Sequence, residues 1–339
     1  EIVNDKLEIG IPQRYSFYTN HFTGGIFKGV QYLGASSGRG KTTWLMTLYL
    51  LPILLAKDTN GDMNEKILII ANEQDKKTFQ KLILIAVYSH IYRFNRKNDS
   101  LKDRFIRRHR LERGLASSLD KRLLKDTAEF YKERFLKRIK FVFMPRFNPE
   151  DIQTCIENNA MYGYTNIIID TMKAEQKGEY QLLANLATKL DMISKDLDLR
   201  IVATVQLAIH SMNRKYLDHT CLAESKQIVE IAEHSLYFRY TDITELGGLQ
   251  IYKFTKEYDE KGNLTGAFME LVGIDVLQEE QAVGEQNKDE IWKGMKYMLM
   301  FVGKNRHGES DKIILARVNF DILYYEEIGV VEGLKYDKI

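Results

Sequence analysis

Eight residues, Ala35-Ser-Ser-Gly-Arg-Gly-Lys-Thr42, lie between an apolar run, Val30 to Leu33, and a helix-forming run, Thr43 to Leu51. Small residues let a backbone wrap around an anion, and successive N–H groups at a helix N-terminus form a nest for phosphate oxygens. In that setting Lys41 reaches the β- and γ-phosphates of a nucleoside triphosphate, and the Thr42 hydroxyl holds Mg²⁺. Ala35 stands where such loops usually begin with glycine. Ser36, Ser37, Gly38, Arg39 and Gly40 supply the bend, and Thr43 continues into the helix. A Gly/Ser turn with an incidental lysine would need neither flank. The run therefore predicts a site for ATP and Mg²⁺ in an α/β fold.

The rest of the chain supports that class. A strand over 26–33 is followed by the loop and a helix over 42–56. Strands at 66–71, 139–144, 166–169 and 200–205 alternate with helices at 75–93, 149–162 and 180–197. Buried strands alternating with amphipathic helices predict a P-loop NTPase core on a mostly parallel, doubly wound sheet. Strand-like segments at 235–240, 249–256 and 267–273 come next, then an acidic connector around 275–290 and a closing β-region at 297–325. The expected organisation is a lead-in at 1–25, a core at 26–256, an acidic insertion at 257–296 and a C-terminal β-region at 297–339. The 339 residues, 44% hydrophobic, are ample for one large core. Two distant cysteines, Cys155 and Cys221, offer no disulfide framework, and no apolar run is long enough for a membrane span. A cytoplasmic setting, in a bacterial cell or a virus-infected host, is the expectation.

The formal charge of +2 hides a split: residues 93–140 carry seventeen Lys/Arg against seven Asp/Glu. Apolar residues at helical spacing make this segment two or three amphipathic helices with a positive face. Such a face suits nucleic acid, a docked neighbour or plain solvent.

Chemistry in an open parallel sheet gathers at the carboxyl ends of strands. Asp170 follows Ile167-Ile-Ile169 and is the expected Mg²⁺ ligand or its immediate support. Glu73 follows an apolar strand and can orient and polarise an attacking water. Gln206 ends Val202 to Val205, where its amide can sense a γ-phosphate and relay its loss.

Taken in order, these features resemble the RecA-like motor domain of the DnaB family of hexameric replicative helicases. The resemblance covers roughly 9–240 and 297–325. It begins with Ile9 to Pro12 and the Phe22-Thr-Gly-Gly25 turn. It continues through the phosphate loop, Glu73 within Ala71 to Gln74, Asp170 and Gln206. It closes with Leu222 to Ser225, Ile228, Ala232, Ser235 to Phe238, and the Lys-x-Arg turn in Gly303 to Gly308. Two departures stand out. The stretch 257–296 is longer than the family's usual connection, and Ala223 replaces an arginine before Glu224.

The resemblance implies a homo-hexameric ring with each ATP site between two subunits. Arg306 would be the arginine finger on a neighbour's nucleotide, with Lys304 assisting and Glu73 as the catalytic carboxylate. The loops after Asp170 and Gln206 would line a channel for single-stranded DNA, with Lys173 and Lys177 in the first and Arg214 and Lys215 in the second. Primase or a helicase loader would be further partners, and no membrane is implied. A RecA-like ATPase without unwinding activity (a switch or a recombinase relative) and a helicase-loading or regulating module are the alternatives.

Overall fold

A computed structural model describes residues 10–332 except 59, 93–103, 147, 174–179, 209–210, 212–213, 223–225, 248–249, 259–263, 274, 276, 280–281 and 283–292. In chain order the first elements are α1 (Phe17–Thr23), β1 (Gly29–Ala35), α2 (Lys41–Leu45), a π-turn (Met46–Leu50), α3 (Leu51–Leu54), β2 (Ile67–Ala71) and α4 (Lys76–His90). Then follow α5 (Arg108–Glu112), α6 (Ser118–Arg134), β3 (Ile139–Phe143), α7 (Pro149–Ala160), β4 (Asn166–Met172), α8 (Tyr180–Asp196), β5 (Arg200–Gln206), α9 (Lys226–Ile231) and β6 (His234–Thr241). The chain closes with β7 (Gln250–Tyr258), β8 (Leu264–Gly273), β9 (Lys296–Asn305), β10 (Lys312–Asn319) and β11 (Tyr324–Glu332).

Among the described residues eleven strands share one sheet, in the order β3-β2-β4-β5-β1-β6-β9-β10-β11-β7-β8. From β3 to β6 every pairing is parallel. From β6 outward every pairing is antiparallel. Alternate side chains of each strand point to opposite faces. Thus Ile67 and Ile69 of β2 join one core with Trp44, Phe79 and Leu123, while Leu68 and Ile70 join another with Ile152, Leu186 and Leu190. Helices α2–α4 and α6 cover the first face, and α7 and α8 the second. This is the doubly wound arrangement the alternation predicts. Burying each of these side chains stabilises the fold by about 1.5–3 kcal/mol.

The antiparallel half is where sequence and structure differ most. The expected C-terminal β-region continues the same sheet, and β11 reaches Glu332, past the expected end near 325. Residue 257, the expected start of the acidic insertion, lies inside β7, whose pairing with β8 runs across it. Most of the acidic connector lies outside the described residues. The basic segment holds two described helices, α5 and α6, and four of its arginines form ion pairs among the described residues. Arg104 and Arg110 pair with Asp120, Arg107 with Asp321 and Arg108 with Glu112. Asp120 also completes a reciprocal cap with Ser117 at the start of α6.

The helix after the phosphate loop is interrupted for a chemical reason. Pro52 has no N–H to give to the Leu48 carbonyl four residues back. Gln13 Nε2 supplies that bond instead, at 3.1 Å, so the lead-in segment is tied to the helix it precedes. Helix α1, absent from the sequence reading, is held from a distance. The half-buried Glu327 carboxylate accepts from Tyr18 N (2.6 Å), Thr19 N (3.2 Å), the Thr19 hydroxyl and Tyr325 OH (2.7 Å). Burial pushes the Glu327 carboxyl above its usual range, and those four donors oppose the shift. Replacing Glu327 by Ala strands them, so urea unfolding of E327A is expected to show a loss of about 3 kcal/mol. A loss below about 0.5 kcal/mol would remove α1 docking as a stabilising contact.

Candidate nucleotide site

The phosphate loop leaves the end of β1 and turns into α2 on two left-handed glycines. Gly38 (φ +70°) borders open space, whereas a Cβ on Gly40 (φ +77°) would lie 2.0 Å from the Phe320 ring. Gly40 is thus fixed by backbone conformation and by packing together. Its carbonyl accepts from Thr43 N at 2.9 Å, and Arg39 N reaches Ser36 O at 3.3 Å. Lys41 is buried with Nζ 3.4 Å from the Ala35 carbonyl. Burial lowers its pKa, while the negative charges of Glu73 and Asp170 act in the opposite sense. The Arg39 guanidinium lies 4.2 Å over the Tyr240 ring.

Asp170 and Thr42 meet as the sequence reading requires. The Thr42 hydroxyl donates to Asp170 Oδ2 at 3.2 Å. Thr204 and Thr171 hydroxyls donate to Oδ1 at 2.7 and 2.8 Å. Burial raises the Asp170 pKa against these three hydrogen bonds. Asn72 locks the neighbouring strand ends together: its Nδ2 donates to Thr171 O at 3.1 Å, and Thr171 N donates to its Oδ1 at 3.0 Å. A hydroxyl and one buried carboxylate, both hard oxygen donors, fit Mg²⁺, which binds through one or two protein oxygens together with substrate phosphates. Among the described residues no group of three or more His, Cys, Asp or Glu forms a protein-only metal cage.

Glu73 and Gln206 flank this pair. Gln206 is exposed and stands in register with Ala35 across the β1–β5 pairing. Glu73 lies just beyond β2 and pairs with Lys173 Nζ at 3.3 Å. Lys173, expected on a DNA-binding loop, therefore touches the expected catalytic carboxylate. Lys177 lies outside the described residues. Arg214 and Lys215 line a cavity of about 320 Å³ with Ser36, Arg39 and Tyr240. Arg214 is held there by Thr220 (2.6 Å) and Asp218 (3.9 Å).

Lys304 and Arg306 sit elsewhere. The pairing of Asn305 with His234, and of His234 with Gln31, places the end of β9 level with the start of β1. Arg306 N donates to Glu233 O, and Glu233 N donates to Val30 O. The phosphate loop begins at the other end of β1, five strand residues further, roughly 17 Å at about 3.3 Å each. The Arg306 side chain bonds Glu233 Oε1 at 3.1 Å and Glu230 O at 3.2 Å. Lys304 Nζ bonds Glu230 O, and burial lowers the Lys304 pKa, with Arg306 adding to the effect.

No protein-family profile matches the chain, and no curated protein matches it. Solved structures do. One described as the ATPase domain of G40P aligns at a TM-score of 0.62 and 13% identity, covering 96% of this chain and 94% of that one. A DnaB-like replicative helicase, described with its interactions with primase, aligns at 0.59 and 14%, covering 96% of this chain and 65% of that one. The fold is that of a DnaB-like helicase ATPase domain.

Within this DnaB-like fold several site residues escaped the sequence reading. Thr204 left a trace, as a lone hydroxyl in the apolar run 201–205. Asn72 left its position beside Glu73. Tyr240 and Phe320 left none, because they reach the loop only through the pairing of distant strands. The glycines give a graded test. Gly38→Ala should cost about 1 kcal/mol for its left-handed backbone alone. Gly40→Ala must also displace Phe320 and should weaken nucleotide binding at least tenfold more, as measured by calorimetric titration with ATP. Equal losses would mean that Phe320 does not constrain the loop.

Proposed function

We propose that this protein is an ATP-driven DNA helicase motor that works as a hexameric ring on single-stranded DNA during replication. One observation carries the proposal: the site residues divide between the two ends of the sheet. The phosphate loop, Thr42, Asp170, Glu73 and Gln206 gather at one end, and Lys304 and Arg306 stand at the other. A subunit so built offers half a site at each end, and a neighbour completes it.

In this reading backbone N–H groups and Lys41 hold the phosphates, while Thr42 and Asp170 hold Mg²⁺. When bound, Mg²⁺ neutralises charge developing across the β- and γ-phosphoryl oxygens. Glu73 orients the attacking water and accepts its proton. Gln206 senses the γ-phosphate from the adjacent strand. Arg306 of one subunit, with Lys304, stabilises the transferring phosphoryl group of the next, a contribution of about 10³–10⁵ in rate for such fingers. Lys173, Lys177, Arg214 and Lys215 grip the DNA backbone by charge, without reading bases. A primase or a helicase loader is the accessory partner, and the bacterial or infected-cell cytoplasm is the setting.

Mixed rings separate a shared site from a self-contained one. Glu73→Gln and Arg306→Ala subunits should each lose at least a hundredfold in DNA-stimulated hydrolysis. Mixing them should restore part of the rate, because some interfaces then combine an intact Glu73 with an intact Arg306. No recovery in rings shown by mass to be mixed would defeat the shared-site reading. Parallel strand-displacement assays test the motor: hydrolysis without displacement would favour an ATPase that does not unwind.

A further inference from the structure

The pairing of Lys173 with Glu73 occupies the carboxylate on which turnover would depend. We infer that Lys173 restrains Glu73 and gives it up when a phosphodiester of single-stranded DNA takes the ammonium group. This rests on the motor reading above and adds a route by which DNA sets the rate of hydrolysis.

Three features carry it. The ammonium group lies 3.3 Å from Oε1, so it competes with any water for that oxygen's lone pairs. The side chains are 30% and 41% exposed, and an ion pair open to solvent is worth only about 0–1 kcal/mol. An incoming polyanion can therefore exchange for Glu73 at small cost. The backbone around the pair, in contrast, is fixed. Strands β2 and β4 are paired through Ala71 and Asp170, and the two Asn72–Thr171 hydrogen bonds, 3.1 and 3.0 Å, clamp the next residues. Exchange then moves side chains and leaves the Mg²⁺-holding pair in place. Among the described residues the charged groups facing this point are Lys41 and Asp170; Lys41 feels both carboxylates and the Lys173 charge. Release of Lys173 from Glu73 leaves Lys41 as the phosphate-facing cation and frees Glu73 for water.

The test compares ATP hydrolysis by the full chain with and without oligo-dT, in the wild type, Lys173→Met, Lys173→Arg, Glu73→Gln and the double variant Glu73→Gln/Lys173→Met. Removing the restraint should raise the DNA-free kcat of K173M about fivefold, the rate equivalent of an exposed pair near its upper limit. KM for ATP should stay the same, and the stimulation by DNA should shrink by a similar factor. K173R keeps a cation and should show a smaller rise in DNA-free kcat than K173M. The double variant should be as inactive as E73Q, since the gained rate runs through Glu73. A DNA-free kcat for K173M at or below the wild-type value overturns the restraint, as does a double variant as fast as K173M. A wild-type protein that hydrolyses no ATP even with DNA overturns the motor reading itself, which the E73Q comparison keeps distinct.

Discussion

Between β6 and β9 the sheet changes from parallel to antiparallel, and this reversal governs where the charged residues go. The parallel half sends every strand toward the phosphate loop, so the residues that follow β2, β4 and β5 gather there. Because β9 runs the other way, its last residues arrive beside the start of β1. Arg306 and Lys304 are thereby separated from their own loop by the length of a strand. Side-chain flexibility does not close roughly 17 Å of β-structure. The same geometry that gathers the residues following β2, β4 and β5 at the phosphate loop holds Lys304 and Arg306 away from them.

The charges at the two ends also differ in character. At the loop, Asp170 is buried and held by three hydroxyls, and burial presses both its carboxyl and the Lys41 ammonium toward neutrality. Charged groups in that condition gain most from a ligand that brings compensating charge, an anion beside Lys41 and a cation beside Asp170. At the opposite end Glu233 engages both Arg306 and His307, each at 3.1 Å, and the His307 ring stacks on Phe27. Arg306 is half exposed and is held by both the mostly buried Glu233 carboxylate and the Glu230 carbonyl.

How much of this could be read from the chain depends on the range of the interaction. The phosphate loop, α2 and the buried strands follow from local pattern: small residues between an apolar run and a helical one, and β-branched runs bounded by polar residues. The positions of Asp170, Glu73 and Gln206 follow from one further rule, that strand ends carry chemistry. Four kinds of information were not local. The place of β7 beyond β11 depends on pairings across some eighty residues. The Glu327 anchor of α1 joins residues about three hundred apart in sequence. Lys173 looked like a loop lysine because its partner, Glu73, belongs to a different strand end. The basic residues of 93–140 read as a positive face, yet Asp120 and Asp321 take up several of them.

A direct image of the assembled protein best tests whether the proposed reaction centre is divided between subunits. A cryo-electron reconstruction with DNA and a non-hydrolysable ATP analogue should show the Arg306 guanidinium released from Glu233 and bonded to the γ-phosphate held by the adjoining subunit's loop. A closed ring in which every nucleotide is saturated while Arg306 remains on Glu233, far from all phosphates, would contradict it.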